Sequence, residues 1–300
     1  MSILSRVPYV AMNNRSKILG YFNRVASKQS LLCLIIVAIM SAPAIAFVFH
    51  SGTFFVVVVS NDFLVVAIDS RTHDPTDPSA PPNDRTCKIT PLSNNVIFFY
   101  KGLGGARDDN GKAFSGESIA RDIYIPTHSL NDLASRWGNK MADTYREIFA
   151  VNQDFVRHAP NGTIVNGYFG GTDLDGTIAL ADAKIIYSPS DGFRVELGRR
   201  NPPTNNALIH AYFDEIFSEF RNGGNTARAR AAMAEIEAQA IGKSSAERMA
   251  ITASAYVKAV RDWGNDATVG GDIASVIIER GQKWRWYRRP DFCPEHKDRS

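Results

Sequence analysis

The chain has 300 residues, of which 44% are hydrophobic, 10% aromatic and 22% charged. This is the composition of a folded globular protein and excludes a wholly disordered chain. Three cysteines without a C-x-x-C pair exclude a disulfide-built scaffold and give no sign of structural zinc. The net charge of +3 arises in the first 46 residues, because the remainder holds 29 basic against 31 acidic residues. We therefore expect no nucleic-acid partner.

Residues 1–46 have the pattern of a secretory signal peptide. A basic region without acidic residues ends at Lys28, residues 31–40 are wholly apolar, and Ala44 and Ala46 form an A-x-A cleavage pattern. The alternative is a single membrane anchor, since residues 31–49 are just long enough to span a bilayer. With a cleaved leader the protein is secreted or periplasmic; with an uncleaved one it is a single-pass membrane-anchored protein.

Export would expose the cysteines to an oxidising compartment. Cys87 and Cys293 could pair there, and two free buried thiols are an equal alternative.

Two strand-like runs follow the leader, at residues 53–59 and 63–69. Both are almost continuously apolar, which is typical of strands that are covered on both faces. Residues 72–86 hold four prolines and predict an irregular loop. Two further strands are predicted at residues 87–91 and 96–100, and the second ends in a glycine turn.

The rest of the chain predicts a mixed fold. Residues 106–127 are polar and predict a loop, and Ser129 is predicted to cap a helix over residues 130–151. The remaining predicted elements are strands at 163–169, 177–187 and 193–197, a helical block in three pieces at 206–263, a hairpin at 273–279 and 282–287, and a polar tail at 289–300. This order predicts an α+β fold of four layers (αββα), with two antiparallel sheets packed face to face between helices.

Four short motifs lie at the ends of the first predicted strands. Gly52-Thr53 opens the first strand, Asp69-Ser70-Arg71 closes the second, Lys88 begins the third and Gly102 ends the fourth. As a set they resemble the β-type subunits of the proteasome and its bacterial relatives, which belong to the N-terminal nucleophile (Ntn) hydrolase superfamily. The similarity extends over residues 52–288, nearly the whole chain after the leader.

The resemblance implies a threonine-type hydrolase of peptide or amide bonds, without a cofactor. In that family the Gly-Thr bond is cut, so that Gly52 ends a short propeptide at residues 47–52 and Thr53 becomes the amino terminus of the Ntn-hydrolase domain, residues 53–288. Thr53 would then be the nucleophile, Asp69 and Lys88 its partners, and the backbone amide at Gly102 the oxyanion donor. Tyr100 would line the substrate pocket.

These residue types suit the chemistry. A threonine hydroxyl is a weak nucleophile until a base takes its proton. A free α-amine has a pKa of about 7.7–8.0 and can be that base near neutral pH. A nearby lysine favours the neutral amine and the developing alkoxide, an aspartate keeps the lysine charged and oriented, and a glycine N–H can approach an oxyanion closely.

The C-terminal part of the motif set is less complete. Asp266 matches an aspartate that flanks the threonine in the family, but Val269 stands where the family usually has a serine. The alternatives are therefore a non-catalytic assembly or binding subunit of the same fold, and a non-proteolytic amidase or acylase. A homo-oligomer is left open. The histidines have no metal-ligand spacing, so no metal is expected.

Overall fold

A computed structural model describes residues 47–50, 53–74, 77, 79–108, 113–153, 156–157, 162–200, 210–212, 238–263 and 267–295. The predicted leader at residues 1–46 lies outside this part of the chain. So does most of the helical block that was predicted before residue 238.

The described residues form an α+β fold. The strands are β1 (Phe47–His50), β2 (Phe55–Val59), β3 (Phe63–Asp69), β4 (Thr90–Pro91), β5 (Val96–Gly102), β6 (Gly105–Asp108), β7 (Ala113–Ser115), β8 (Thr163–Thr172), β9 (Ile178–Ser188), β10 (Gly192–Arg200), β11 (His210–Tyr212), β12 (Ile273–Glu279) and β13 (Arg285–Arg288). The helices are α1 (Gly116–Ile123), α2 (Leu130–Phe149) and α3 (Ser245–Trp263).

Two five-stranded sheets contain most of the strands. Sheet A has the order β11-β2-β3-β12-β13, and sheet B has the order β10-β9-β8-β5-β4. A third, smaller sheet has the order β1-β6-β7. The neighbouring strands pair antiparallel throughout. The predicted α+β class with two antiparallel sheets is therefore confirmed.

The two large sheets share an apolar core. Phe55, Leu64 and Ile68 of sheet A pack in one cluster with Ile97 and Phe99 of sheet B. Every residue of β2 and β3 is buried, because the other face of sheet A is covered as well. That burial is the reason their sequences are continuously apolar instead of alternating.

The outer faces of the sheets pack against helices. Trp137 and Tyr145 of α2 are fully buried against the face of sheet B that includes Phe98 and Phe169. Val257 and Val260 of α3 pack on the outer face of sheet A. Among the described residues, no helix is both long and apolar enough to cross a membrane.

The helix predicted after Ser129 is confirmed. The hydroxyl of Ser129 accepts a hydrogen bond from the Asp132 amide at 3.1 Å, and the Asp132 carboxylate accepts one from the Ser129 amide at 3.3 Å. This reciprocal capping box satisfies donors that the first turn of a helix leaves without partners. The predicted end at residue 151 was two residues too late, since α2 ends at Phe149.

Three other predicted elements were wrong. The loop predicted at residues 106–127 contains most of β6, all of β7 and α1, whose start is capped by the Ser115 hydroxyl. Residues 210–212 lie in the predicted helical block but pair with residues 57–59 as β11. Of the strand predicted at residues 87–91, only Thr90–Pro91 pairs with β5. Short elements that depend on pairing partners far away in sequence leave little periodicity to detect.

Candidate active site

Thr53 lies two residues before β2 begins at Phe55, and Asp69 is the last residue of β3. The two strands pair antiparallel, with Phe55 opposite Ile68, so residues at these ends meet. The amide of Asp69 donates to the Phe54 carbonyl at 3.1 Å, and the Phe54 amide donates to the Asp69 carboxylate at 2.8 Å. Asp69 is thereby fixed beside the peptide that joins Thr53 to Phe54.

The Asp69 carboxylate accepts hydrogen bonds from three donors in a site where it is only 1% exposed. One oxygen accepts from the Phe54 amide and, at 2.9 Å, from the Lys88 ammonium. The other oxygen accepts from the Gly270 amide at 3.1 Å. Because Phe54 and Lys88 share one oxygen, the ammonium lies close to the amino-terminal end of β2. The pair predicted from the sequence, Asp69 with Lys88, is thus in direct contact.

Lys88 is itself buried, with a side chain only 1% exposed. Burial lowers the pKa of Lys88 below the ordinary lysine value, and the charge of Asp69 and its hydrogen bond oppose that decrease. The ammonium of Lys88 is therefore held by Asp69 and loses its proton more readily than the ammonium of a surface lysine does.

Ser70 and Arg71 connect β3 to two loops. Arg71 makes a two-pronged ion pair with Asp84, at 2.6 and 3.0 Å, and donates to the Ala267 carbonyl at 3.1 Å. The Ser70 hydroxyl donates to the Asp84 carbonyl and accepts from the Asp272 amide at 2.7 Å. The Arg71 guanidinium lowers the pKa of Asp84, which keeps this carboxylate charged. The Asp69-Ser70-Arg71 motif therefore ties loop 84–88 and loop 267–272 together.

Two glycines in the second loop permit this close approach. A Cβ on Gly270 would overlap the Arg71 guanidinium. Gly271 has φ +69°, and a Cβ there would lie 2.6 Å from the Asp84 carbonyl oxygen. A side chain at position 270 would displace the Arg71 guanidinium, and one at position 271 would push the loop away from the Asp84 backbone.

Gly102 lies at the end of β5, in a turn with φ +96°. A Cβ there would overlap the carbonyl oxygen of Ile164, so glycine is required for backbone packing. The following residue, Leu103, donates its amide to Ile164 at 2.9 Å, and its carbonyl accepts a hydrogen bond from the Tyr145 hydroxyl. β4 pairs with β5 in the register Thr90 with Phe98, so this turn lies at the end of sheet B where Lys88 enters.

Tyr100 is buried in the cluster that faces the helices, at 5% exposure. Burial, followed by the nearby Glu117 carboxylate, raises the pKa of Tyr100 well above its ordinary value, so the hydroxyl stays protonated. A Cβ on Gly104 would overlap the Tyr100 ring, which therefore lies directly beneath the glycine turn. Its predicted role in substrate binding stays a prediction.

Two predicted site residues, Gly52 and Asp266, lie outside the described residues. Val269 is 4% exposed and packs in the apolar cluster beneath α3, next to the Gly270 amide that donates to Asp69. Within the described ranges, no three His, Cys, Asp or Glu side chains come together in a way that could hold a metal ion.

Sequence reasoning missed the Gly270 amide as a ligand of Asp69 and the pairing of Arg71 with Asp84. The glycine pair at 270–271 was the available signal for the first. Sequence reasoning also left open whether Cys87 and Cys293 are joined. In the structure they form a disulfide.

Comparison with known proteins adds no identification to this geometry. No protein-family model matches the chain, and no curated protein matches it.

Proposed function

We propose that the protein is an exported threonine-type Ntn hydrolase that cleaves peptide or amide bonds after self-cleavage between Gly52 and Thr53. The observation that carries this proposal is the buried Asp69 carboxylate. It accepts hydrogen bonds from the backbone amide next to Thr53 and from the buried ammonium of Lys88. A buried ion pair is expensive to keep for stability alone, and buried charge at the end of a strand is typical of functional sites.

In the proposed reaction the Thr53 hydroxyl oxygen attacks the substrate carbonyl carbon while its proton passes to the free α-amine of the same residue. The tetrahedral intermediate then collapses to an ester, and the leaving amine takes that proton. Water hydrolyses the ester in the same way and frees the hydroxyl. Lys88 would stabilise the developing alkoxide, Asp69 would hold Lys88, and a backbone amide of the Gly102 turn would donate to the oxyanion.

The pairing of β1 with β6 supports self-cleavage. β1 leads directly to the proposed scissile bond, and β6 follows the Gly102 turn. In the antiparallel register His50 lies opposite Gly105, so the end of β1, three residues before Thr53, lies beside this turn. Glycine at position 52 permits the sharp bend that attack by the next residue requires.

The layer order also agrees with the proposal. Helices α1 and α2, sheet B, sheet A and helix α3 pack in succession through three apolar clusters. We propose that these are the four layers of an αββα Ntn-hydrolase sandwich. Thr53 precedes β2 of sheet A, Lys88 precedes β4 of sheet B, and we propose that the active site lies at this end of the two sheets.

Export is supported by the disulfide between Cys87 and Cys293, since such bonds persist in oxidising compartments. The predicted leader supplies the route, either as a cleaved signal peptide or as a membrane anchor.

One experiment tests nucleophile and processing together. The amino-terminal sequence of protein purified from its native host is determined first, and the protein is then treated with a threonine-directed inhibitor such as an epoxyketone and its intact mass is measured. We expect a chain that starts Thr-Phe-Phe and carries one adduct. Thr53→Ala should keep residues 47–52 and stay unlabelled, whereas Thr53→Ser, which keeps a hydroxyl, should still be processed and labelled. Active wild-type protein that starts at Phe47, or labelling that persists in Thr53→Ala, would refute the mechanism.

A second candidate is a non-catalytic assembly or binding subunit of the same fold, and Val269 favours it. Val269 is apolar and buried, and it occupies the position where the family that the sequence resembles usually has a serine beside the nucleophile. Such a subunit has no need to expose Thr53. An unprocessed, folded wild-type chain that forms a stable oligomer would therefore select this candidate over the hydrolase and over a related amidase or acylase.

A further inference from the structure

Three residues near the C-terminus hold the segment that carries Lys88. Cys293 forms the disulfide with Cys87, the residue directly before Lys88. Asp291 accepts two hydrogen bonds from one nitrogen of the Arg85 guanidinium, at 3.1 and 3.0 Å, in an exposed ion pair that adds little to the hold of the disulfide. The guanidinium of Arg85 also lies 5.1 Å from the centre of the Phe292 ring. We call residues 291–293 the C-terminal brace.

The brace is anchored in the fold. Cys293 is 3% exposed and belongs to the apolar core between the two sheets, against which Phe292 packs. Its amide donates to the Pro290 carbonyl at 3.0 Å, and the Trp286 indole donates to the Pro294 carbonyl at 3.2 Å. Trp286 belongs to β13, so the brace is tied to the edge of sheet A.

The segment that the brace holds is tied to the fold at its other end, where Arg71 and Ser70 bond Asp84 and the Thr86 amide donates to the Ser70 carbonyl at 3.2 Å. Residues 85–89 belong to no strand, and the strand that follows them is only two residues long. Lys88 has a flexible four-carbon side chain, and burial of its ammonium costs free energy that exposure to water would recover. Slack in this segment would therefore let the ammonium move away from Asp69.

We propose that the C-terminal brace positions Lys88, and that the disulfide between Cys87 and Cys293 is required for full activity. The second statement rests on the proposed function. A displacement of about 1 Å in a catalytic group can cost on the order of 10²-fold in rate. Loss of the covalent link should therefore slow the reaction at Thr53 strongly, although no sulfur takes part in it.

The position of Lys88 can be measured without reference to activity. The full-length protein is exposed briefly to acetic anhydride, and acetylation of each lysine is quantified by mass spectrometry, with exposed Lys243 as the internal reference. We expect Lys88 to be protected in the oxidised protein and its acetylation to increase several-fold in the double variant Cys87→Ser/Cys293→Ser. Unchanged protection in a folded double variant would overturn the proposal.

Two further samples keep the test decisive if that variant does not fold. A pulse of dithiothreitol on folded wild-type protein reduces the disulfide to two thiols, while the dithiol is oxidised to its cyclic disulfide. Asp291→Asn removes only the exposed ion pair with Arg85 and keeps the disulfide, so its effect should be smaller than that of reduction. Each should increase acetylation of Lys88 relative to Lys243, and protection that persists in both would refute the brace.

The pH dependence of Thr53 labelling separates positioning from general stability. Among the described residues, the charged groups that act on the pKa of Lys88 are Asp69, Arg71 and Asp84. Removal of the disulfide should admit water to Lys88 and return its lowered pKa toward the ordinary value, so the alkaline limb of the labelling rate should move to higher pH. A slower rate with an unchanged profile would mean that the brace only stabilises the fold. If Thr53 is never labelled, the proposed function fails, and the acetylation of Lys88 still decides whether the brace positions it.

Discussion

Two buried aspartates on strands, Asp69 in β3 and Asp182 in β9, have opposite surroundings. Asp69 is 1% exposed, and both of its oxygens accept hydrogen bonds. Asp182 is 7% exposed, and one of its oxygens has no hydrogen-bond partner in the described part of the chain. The guanidinium of Arg200 lies 4.0 Å from that oxygen.

The Asp69 carboxylate holds its neighbours together through hydrogen bonds, whereas the Asp182 carboxylate is buried without enough partners. Burial raises the pKa of Asp182, and the charge of Arg200, the amide of Asn166 and the charge of Lys184 only partly oppose that increase. Asp69 is instead the point where β2, loop 84–88 and loop 267–272 meet. We therefore expect changes around Asp69 to be costly and a neutral replacement of Asp182 to be mild.

The largest effect is expected for Lys88→Met. This variant keeps the volume of the side chain but leaves the Asp69 charge buried without its cation, which typically costs about 3–5 kcal/mol. The free energy of unfolding from urea titration at pH 7 measures it. Lys243→Met, at an exposed lysine, is the matched control and should stay within about 0.5 kcal/mol of wild type. A loss for Lys88→Met as small as that of the control would mean that water reaches the Asp69–Lys88 pair.

A smaller loss is expected for Gly271→Ala. Gly271 and Gly281 have nearly equal φ, +69° and +73°, but a Cβ on Gly281 meets nothing within 4 Å. Both variants share the backbone strain of a positive φ, and only Gly271→Ala forces loop 267–272 away from Ser70 and Asp84. Overpacking of this kind costs about 1–3 kcal/mol beyond the control. Thermal midpoints of the two variants compare them directly, and equal midpoints would show that the loop can move without cost.

The sequence predicted the contact of Asp69 with Lys88 because Asp69 ends a strongly apolar strand and both residues match the motif set of the family that the sequence resembles. It did not predict the third donor, because Gly270 is 201 residues from Asp69 and only the folded chain brings them together. The ion pair of Arg71 with Asp84 was hidden for a different reason. Asp84 lies in a proline-rich loop, where no periodicity indicates the direction of a side chain.

The strands show the same limit: a continuous apolar run can be predicted from the sequence, and a strand that depends on a distant partner cannot. β3 and β12 were predicted with correct bounds, since each is a continuous apolar run between turn residues. β6 depends on β1, which lies more than 50 residues earlier in the chain, and its own residues Gly105–Asp108 carry no strand pattern.

The smallest effect is expected for Asp182→Asn. Because the folded protein holds a proton on Asp182 more tightly than the unfolded chain does, the contribution of Asp182 to stability falls as pH rises from the ordinary aspartate pKa through the raised one. An asparagine removes this penalty and keeps the shape. The variant should therefore lie within about 1 kcal/mol of wild type at pH 7 and compare better with wild type at pH 7 than at pH 4.

Asp173→Asn is the matched control for this prediction, since Asp173 directly follows β8 of sheet B and is 8% exposed. Its carboxylate accepts from the amides of Leu130 and Leu174 and pairs with Arg199 at 2.6 Å. Loss of such charge-assisted bonds costs about 1.5–3 kcal/mol each, so this control should be clearly less stable than Asp182→Asn. Urea titrations of both variants at pH 4 and pH 7 test the contrast. If Asp182→Asn lost as much stability as Asp173→Asn, the oxygen of Asp182 would have a partner in the folded chain, and its environment would resemble that of Asp69.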